Sequence, residues 1–322
     1  MQPKPTNQST FFDLAIEKRG AANHVLETIT KVVDFTEAEQ RVAATYSPGG
    51  RPACRVGVLL RVMILQHLYG LSDPQAEEQL KDRLSFQKFV KLSAYEAVPD
   101  ETTICRFRQR LIECKLHEQL LELLNQQLEA RGYIVKRTTL VDATLVESSR
   151  KRPERKAVAE GQAPDADATY TCNYHRSFYG YKAHVSSDAE HQLIRRALIT
   201  TASAQEAHYF EQIAPIDTQE IYGDKAYDTN ANKAWMRQQR IRNRVMKKGA
   251  RNIKLTAWDR RNNRSKGRVR RNIERIFAHF KHWQGYRRVR YLGLARNQLE
   301  LTLKAVAYNL KRLAGITKEQ PV

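Results

Sequence analysis

Apolar residues recur every three or four positions through the first 130 residues, the spacing that lines one face of a helix. The segments FFDLAIEKRGAANHVLETITKVV, TEAEQRVAATY, VGVLLRVMILQHLYGL, DPQAEEQLKDRLSFQKFVKL and DETTICRFRQRLIECKLHEQLLELLNQQLEARG all carry it. Breakers at Ser47-Pro48-Gly49-Gly50, Ser72-Asp73-Pro74 and Pro99-Asp100 punctuate them, and Asp73 and Asp100 stand where helix N-caps belong. The most apolar stretch, Val56 to Leu71, is shorter than a bilayer-spanning helix and holds Arg61 and His67, so it reads as a core helix.

After Gly132 the period changes. YIVKRTTLVDATLVES is β-branched and extended, and GYKAHVSSDAEHQLIRRALITTA reads as two strands around a polar turn at Ser186 to Glu190. A helix near Ala204 to Ile213, a strand at EIYGD, a helix near Asn230 to Gln239, a strand at IRNRVMKK, a basic segment and two final helices follow. The expected architecture is an all-α N-terminal domain over residues 1–131 and an α/β domain over residues 132–322. Glu147 to Thr171 is polar, contains proline and lacks periodicity, which predicts a surface loop or arm, with Asp165 and Asp167 solvated.

Charge sharpens this picture. The chain of 322 residues carries 55 Lys+Arg against 35 Asp+Glu, a net +20, and 41% of it is apolar, enough for a real core. Between Arg237 and Arg290 lie twenty Lys/Arg and only two acids, Asp259 and Glu274. Aromatics, among them Trp258, Phe277 and Trp283, interleave with these cations, a composition suited to a sugar-phosphate backbone with unstacked bases. An anionic membrane is disfavoured, because no long basic amphipathic helix with one oily face accompanies the window. Cys54, Cys105, Cys114 and Cys172 show no C-x-x-C spacing and the N-terminus has no secretory layout, so the expected compartment is the cytoplasm.

Three acids invite chemistry. Asp142 stands alone in TTLVDATLV, where an uncompensated carboxylate costs several kcal/mol; a structural salt bridge is the plain alternative. Asp224 ends the strand EIYGD, a position that also suits helix capping. In RVRRNIERIFAHFKHW, at about 100° per residue, Arg270, Glu274 and Lys281 fall within an arc of about 40° beside an apolar stripe. A simple ion pair of Arg270 with Glu274 would satisfy the same spacing. Aspartate and glutamate oxygens are hard ligands for Mg²⁺ or Mn²⁺, and two such ions can flank an in-line phosphoryl displacement.

With these residues in hand, the chain resembles a DDE insertion-sequence transposase of the insertion sequence five group. LLRVMILQHLYGLSDPQAEEQLKDRLSFQKFVKLSAYEAVPDETTICRFRQRL is similar to that family's helical domain, LVDATLVES carries the first Asp and IYGDKAYD the second. Arg270, Glu274 and Lys281 hold the spacing of the third-acid signature, whose Tyr position is Gly267. The resemblance implies a ribonuclease-H-like mixed sheet flanked by helices. It implies Asp142, Asp224 and Glu274 as ligands of two divalent ions, Mg²⁺ or Mn²⁺, that serve DNA cleavage and strand transfer. The implied partners are transposon ends and target DNA, with a homo-oligomer, a dimer, when two ends are paired, and no membrane. Arg270, Lys281 and their neighbours Arg271 and Arg275 would hold phosphates, with Lys225 and Tyr227 assisting beside Asp224.

Other candidates carry less. His184 is a lone strand histidine, and Cys172 with His175 lacks the second pair a zinc site needs. Arg106, Arg108 and Arg110 fit either the recognition helix of a helix-turn-helix with the helix after Ser72, or a solvated face. Two readings compete with the transposase: a DNA-binding protein whose acids only brace the fold, and a nuclease that cuts without joining.

Overall fold

The computed structural model describes residues 23–46, 54–93, 95–156, 160–173, 176–249 and 254–319. The Ser47-Pro48-Gly49-Gly50 breaker, the helical pattern ahead of Asn23 and His175 of the C-x-x-H pair lie outside the described residues. Two compact units divide the chain: Met1–Gln127 with Val306–Val322, and Leu128–Ala305.

The first unit contains helices α1 (His24–Val32), α2 (Thr36–Ala43), α3 (Val56–Tyr69), α4 (Asp73–Asp82), α5 (Leu84–Val90), α6 (Glu101–Glu113) and most of α7 (His117–Ala130). Helix α3 is buried on every side from Val58 to His67, as its unbroken apolar run predicts. Its Arg61 is satisfied by Glu39 and by the Gly57 carbonyl at 2.9 Å. Gly57 permits this approach, since a Cβ there would come 2.5 Å from the Glu39 carboxylate.

Two expected helices are each divided in two. The chain is extended at Arg83 between α4 and α5, and Lys115, at φ 52°, separates α6 from α7. Asp100 caps α6 by accepting from the Thr103 N–H at 2.6 Å. Asp73 does not cap α4. Ser72 does, in a capping box with Gln75, and Asp73, one place inside, meets the guanidinium fork of Arg108 instead.

The second unit is built on a six-stranded mixed sheet of β1 (Thr138–Glu147), β2 (Thr169–Asn173), β3 (Arg176–Asp188), β4 (Ile194–Thr201), β5 (Glu220–Gly223) and β6 (Arg242–Asn243). β1 lies between β3, antiparallel to it, and β5, parallel to it. β3 takes β2 and β4 in succession along its other edge, and β6 extends the sheet beyond β5. The order β4-β3-β1-β5-β6 is a ribonuclease-H-like sheet. IRNRVMKK supplies only the two residues of β6, although the N–H groups of Arg244 and Met246 still reach Ile221 and Gly223 of β5.

Side chains alternate across the sheet. Val141 and Ile221 pack with Phe210, Ile213, Tyr227 and Met236, from α8 (Phe210–Ile213), the turn Lys225–Tyr227 and α9 (Asn230–Gln238). Asp142, the next residue of β1, therefore faces the other side. There α10 (Ala257–Arg270) lies against β5 and α11 (Asn272–His282) against β1. Helix α10 occupies the middle of the basic segment, most of it where the sequence pattern shows no element; its last turn, Arg268–Arg270, falls in the pattern that predicts one helix running on into α11, from which Arg271 separates it. α12 (Leu294–Glu319) ends the described chain.

The arm after β1 departs from expectation at its acids. Asp165 is buried rather than solvated, and its carboxylate accepts from the hydroxyls of Ser148 at 2.8 Å and Tyr181 at 2.6 Å and from the Gly293 N–H at 3.2 Å. Asp167 accepts from the Leu294 N–H at 2.7 Å, at the start of α12, where a helix favours negative charge. The arm is thus pinned where β1, β3 and α12 meet. Asp165→Ala should lower stability by about 3 kcal/mol through donors left buried and unpaired. The measurement is urea unfolding, with a lower midpoint at unchanged slope.

Candidate active site

Asp142 sits mid-strand with 9% of its surface exposed. One carboxylate oxygen accepts from the Ala143 N–H at 2.9 Å, and the other is paired with Nη1 of Arg270. Burial pushes its pKa up to about 7; the Arg270 charge and the Ala143 N–H oppose the shift, and the negative charges of Glu206 and Asp224 add to it. A carboxylate that desolvation holds so high, despite a guanidinium against it, has an unmet demand for positive charge.

Register brings the second acid alongside. Val141 pairs with Gly223 at the end of the parallel β1–β5 ladder, so Asp224, the first residue after β5, follows next to Asp142 of β1, and its charge acts on that carboxylate. Asp224 precedes the turn Lys225–Tyr227, yet its side chain makes no capping hydrogen bond there. The capping alternative is therefore not what the fold uses.

The third acid arrives on a helix. Glu274 is in the first turn of α11, its side chain 54% exposed, and accepts from Nη2 of Arg270 at 3.2 Å. A single guanidinium thus joins the first acid to the third, 132 residues apart in sequence. Among the described residues no three His, Cys, Asp or Glu stand close enough together to hold a metal ion as placed. The acids are linked instead through strand adjacency and through Arg270. Their chemistry nonetheless suits a hard divalent cation: every donor is a carboxylate oxygen, and Asp142 is a buried anion already drawing on a cation.

The inner stripe of α10 carries Arg270 to this position by polar contacts. Asp259 receives Lys247 Nζ at 3.0 Å, Asn263 exchanges hydrogen bonds with the Lys247 backbone, and Lys266 donates to the Val245 carbonyl at 2.8 Å. Positions 259, 263, 266 and 270 share one face at helical spacing. Its outer positions Arg260, Arg261, Arg264 and Arg268 are exposed, as are Arg271 and Arg275 beyond them. A Cβ on Gly267 would meet only the Met246 side chain, at 3.9 Å.

The remaining sequence candidates divide. Lys225 is exposed beside Asp224. Lys281 is half-buried at the end of α11, its pKa lowered by burial and by the Arg287 charge; no bond joins it to the three acids. In the helical unit Arg106 is exposed, but Arg108 is buried on Asp73, and Arg110 stacks over Tyr46 at 4.0 Å and donates to the Thr45 carbonyl at 2.9 Å. Arg108 and Arg110 thus have partners within the fold, which departs from the solvated-face reading, and Arg106 is the most exposed of the three. α5 and the following loop also separate α4 from α6, so the two are not joined by the short turn of a helix-turn-helix.

Glu206 has no sequence motif to announce it. It lies in the turn Glu206–Tyr209, against the turn after Asp224, and pairs with Lys182 Nζ of β3 at 3.4 Å. Its charge acts on Asp142 and on Tyr227, whose buried hydroxyl has no hydrogen-bond partner among the described residues. Tyr227 belongs to the core, where burial raises its pKa well above the usual phenol value, so it does not assist from solvent beside Asp224.

A family model described as Transposase DDE domain matches residues 134–310, more than half of the chain. This chain belongs to the DDE transposase family. A second model, Transposase domain (DUF772), matches residues 14–110. The protein is thus a DNA transposase, an enzyme acting on DNA, and its mixed sheet is the catalytic fold that the family match covers. It is also similar to a solved piggyBac transposase synaptic complex with hairpin DNA, at 8% identity and a TM-score of 0.43, over 92% of this chain and 74% of that one. That likeness is too weak to add to the family match. No helix among the described residues is long and apolar enough to cross a membrane.

His184 has a structural role: it is fully buried, bonded to the Thr200 hydroxyl at 2.9 Å, and burial, assisted by the Lys182 charge, depresses its pKa to about 3. The unfolded chain takes up this proton near pH 6.5 and the folded one does not, so the contribution is intact above about pH 6.5 and is lost progressively down to about pH 3. Urea unfolding of the transposase and of His184→Gln from pH 7 to 4 should show a shallower acid loss in the variant.

Proposed function

We propose that Asp142, Asp224 and Glu274 together bind divalent ions, Mg²⁺ or Mn²⁺ and two in number, and that the transposase uses them to cut transposon ends and join them to target DNA. The carrying observation is the bridge from buried Asp142 on β1 to Glu274 on α11, made by one guanidinium, with Asp224 beside Asp142 by strand register. Bound ions would supply activation of the attacking oxygen and charge neutralisation at the scissile phosphate.

The protein's own groups have separable tasks. β1 holds Asp142, and the end of β5 delivers Asp224 next to it, just past the last register pair of the two strands. α11 brings Glu274 from the solvent side, where its exposure leaves room for a nucleic acid strand. Arg270, with Arg271 and Arg275, would hold phosphates through guanidinium forks; Lys281 and Lys225 would act as point charges farther out. The helical domain, residues 1–131, is the proposed reader of the terminal repeats, with Arg106 as its exposed basic contact. Two copies would pair two ends, and the work belongs where the DNA is, in the cytoplasm. The spacing of Arg270, Glu274 and Lys281 supports placing the transposase in the insertion sequence five group.

With a labelled transposon end and Mg²⁺, Asp142→Asn and Glu274→Gln should each reduce cleavage at least about 100-fold while thermal unfolding stays cooperative. Cleavage near the parent level in either variant refutes the assignment. Pre-nicked ends with a free 3′-hydroxyl should yield branched products; cutting without them leaves a nuclease. A separate measurement tests the basic ridge: affinity for DNA should fall about 10³-fold or more between 50 and 200 mM salt, and much less steeply once Arg260, Arg264 and Arg268 are replaced by Gln.

A further inference from the structure

We propose that Arg270 is the internal counter-ion of the acidic site, and that it exchanges Asp142 and Glu274 for a DNA phosphate when a divalent ion takes those carboxylates, so that metal and DNA bind cooperatively. The inference rests on the reading of Asp142 and Glu274 as ion-binding acids, and adds to it an order of exchange.

Arg270 differs from its neighbours. Arg260, Arg264 and Arg268 on the same helix are exposed, whereas the Arg270 side chain is only 20% exposed and lies on the docked face. Its two terminal nitrogens go to two different acids, Nη1 to Asp142 and Nη2 to Glu274. Nε is buried without a hydrogen-bond partner among the described residues. The two carboxylates are thus the anchors of the guanidinium, and no third bond in the described structure holds it once they are occupied elsewhere.

Arg270 holds one oxygen of each of the two carboxylates, Oδ2 of Asp142 and Oε1 of Glu274, and so sits at the acids that would bind the ion. A divalent cation and a guanidinium within about 4 Å of each other repel, and one carboxylate oxygen cannot serve both at full strength. Ion binding therefore competes with Arg270. A displaced guanidinium seeks an anion of the same planar, two-pronged geometry, and phosphate offers it. Next to Arg270 along the helix is the exposed ridge Arg264, Arg268 and Arg271, where a DNA backbone would lie. Phosphate binding removes the competitor from the acids, and ion binding frees the guanidinium for the phosphate. By linkage each ligand must strengthen the other equally.

The test titrates Mn²⁺ into the full-length protein, following free Mn²⁺ by electron paramagnetic resonance, with and without a duplex oligonucleotide of unrelated sequence as a source of phosphates. In the parent protein the duplex should tighten Mn²⁺ binding about tenfold. Arg270→Gln should bind Mn²⁺ about tenfold more tightly than the parent without DNA, and the duplex should then change its affinity less than about twofold. Arg270→Lys keeps the charge but cannot bridge both acids; it should be intermediate, and it serves if the Gln variant does not fold. Lys318→Gln removes an exposed charge from the end of α12 and should match the parent without DNA. Equal Mn²⁺ affinity of parent and Arg270→Gln without DNA, or an undiminished duplex effect in that variant, overturns the proposal. If Asp142→Asn with Glu274→Gln binds Mn²⁺ as tightly as the parent, the ion-binding reading itself fails, whatever Arg270 does.

Discussion

A carboxylate placed inside a sheet must be answered by positive charge, and in this transposase that demand organises the catalytic unit. Asp142 is flanked by Val141, buried in the core, and pairs with Val185, also buried. Left alone, its charge would cost several kcal/mol. Arg270 answers it from a helix 128 residues later, and α10 must dock for that to happen. The same contact orients Glu274 at the start of α11. One ion pair thus links the first strand of the sheet to the helix pair that carries the third acid.

The pair is a poor device for stability alone. Buried ion pairs gain little over well-packed apolar residues, because desolvation offsets most of the attraction. The pKa of Asp142, pushed up to about 7 with Arg270 in contact, displays that imbalance. In folded form the group retains a proton over a range where the unfolded chain has lost it, from about pH 4 to 7, so its charge works against the fold as pH rises through that window.

The surplus of positive charge also has an architecture. The inward stripe of α10 spends its polar groups on Lys247, Val245 and Asp142, and the outward stripe keeps its arginines in solvent. Helical geometry sorts the two sets: residues three and four apart share a face, so one basic sequence yields a docked edge and a free ridge. Elsewhere the fold uses carboxylates as knots. Asp165 and Asp167 tie the arm to the start of α12, and Asp188 gathers the N–H groups of Glu190, His191 and Leu193 at the β3–β4 turn.

Sequence alone determined much of this molecule: the helical period of the first 130 residues, the change to strands after Gly132, and the concentration of cations between Arg237 and Arg290. These are local or compositional properties, and short-range periodicity records them faithfully. Partner choice is not local. That Arg108 would spend its fork on Asp73, that Asp165 would be buried against Tyr181, that Glu206 would come to act on Asp142, and that Arg270 would bridge two acids all depend on strand register and helix docking. The lone Lys115 at φ 52° that divides a continuous helical pattern belongs to the same class. Each is settled by which distant surface a side chain meets, and only the packed chain brings those surfaces together.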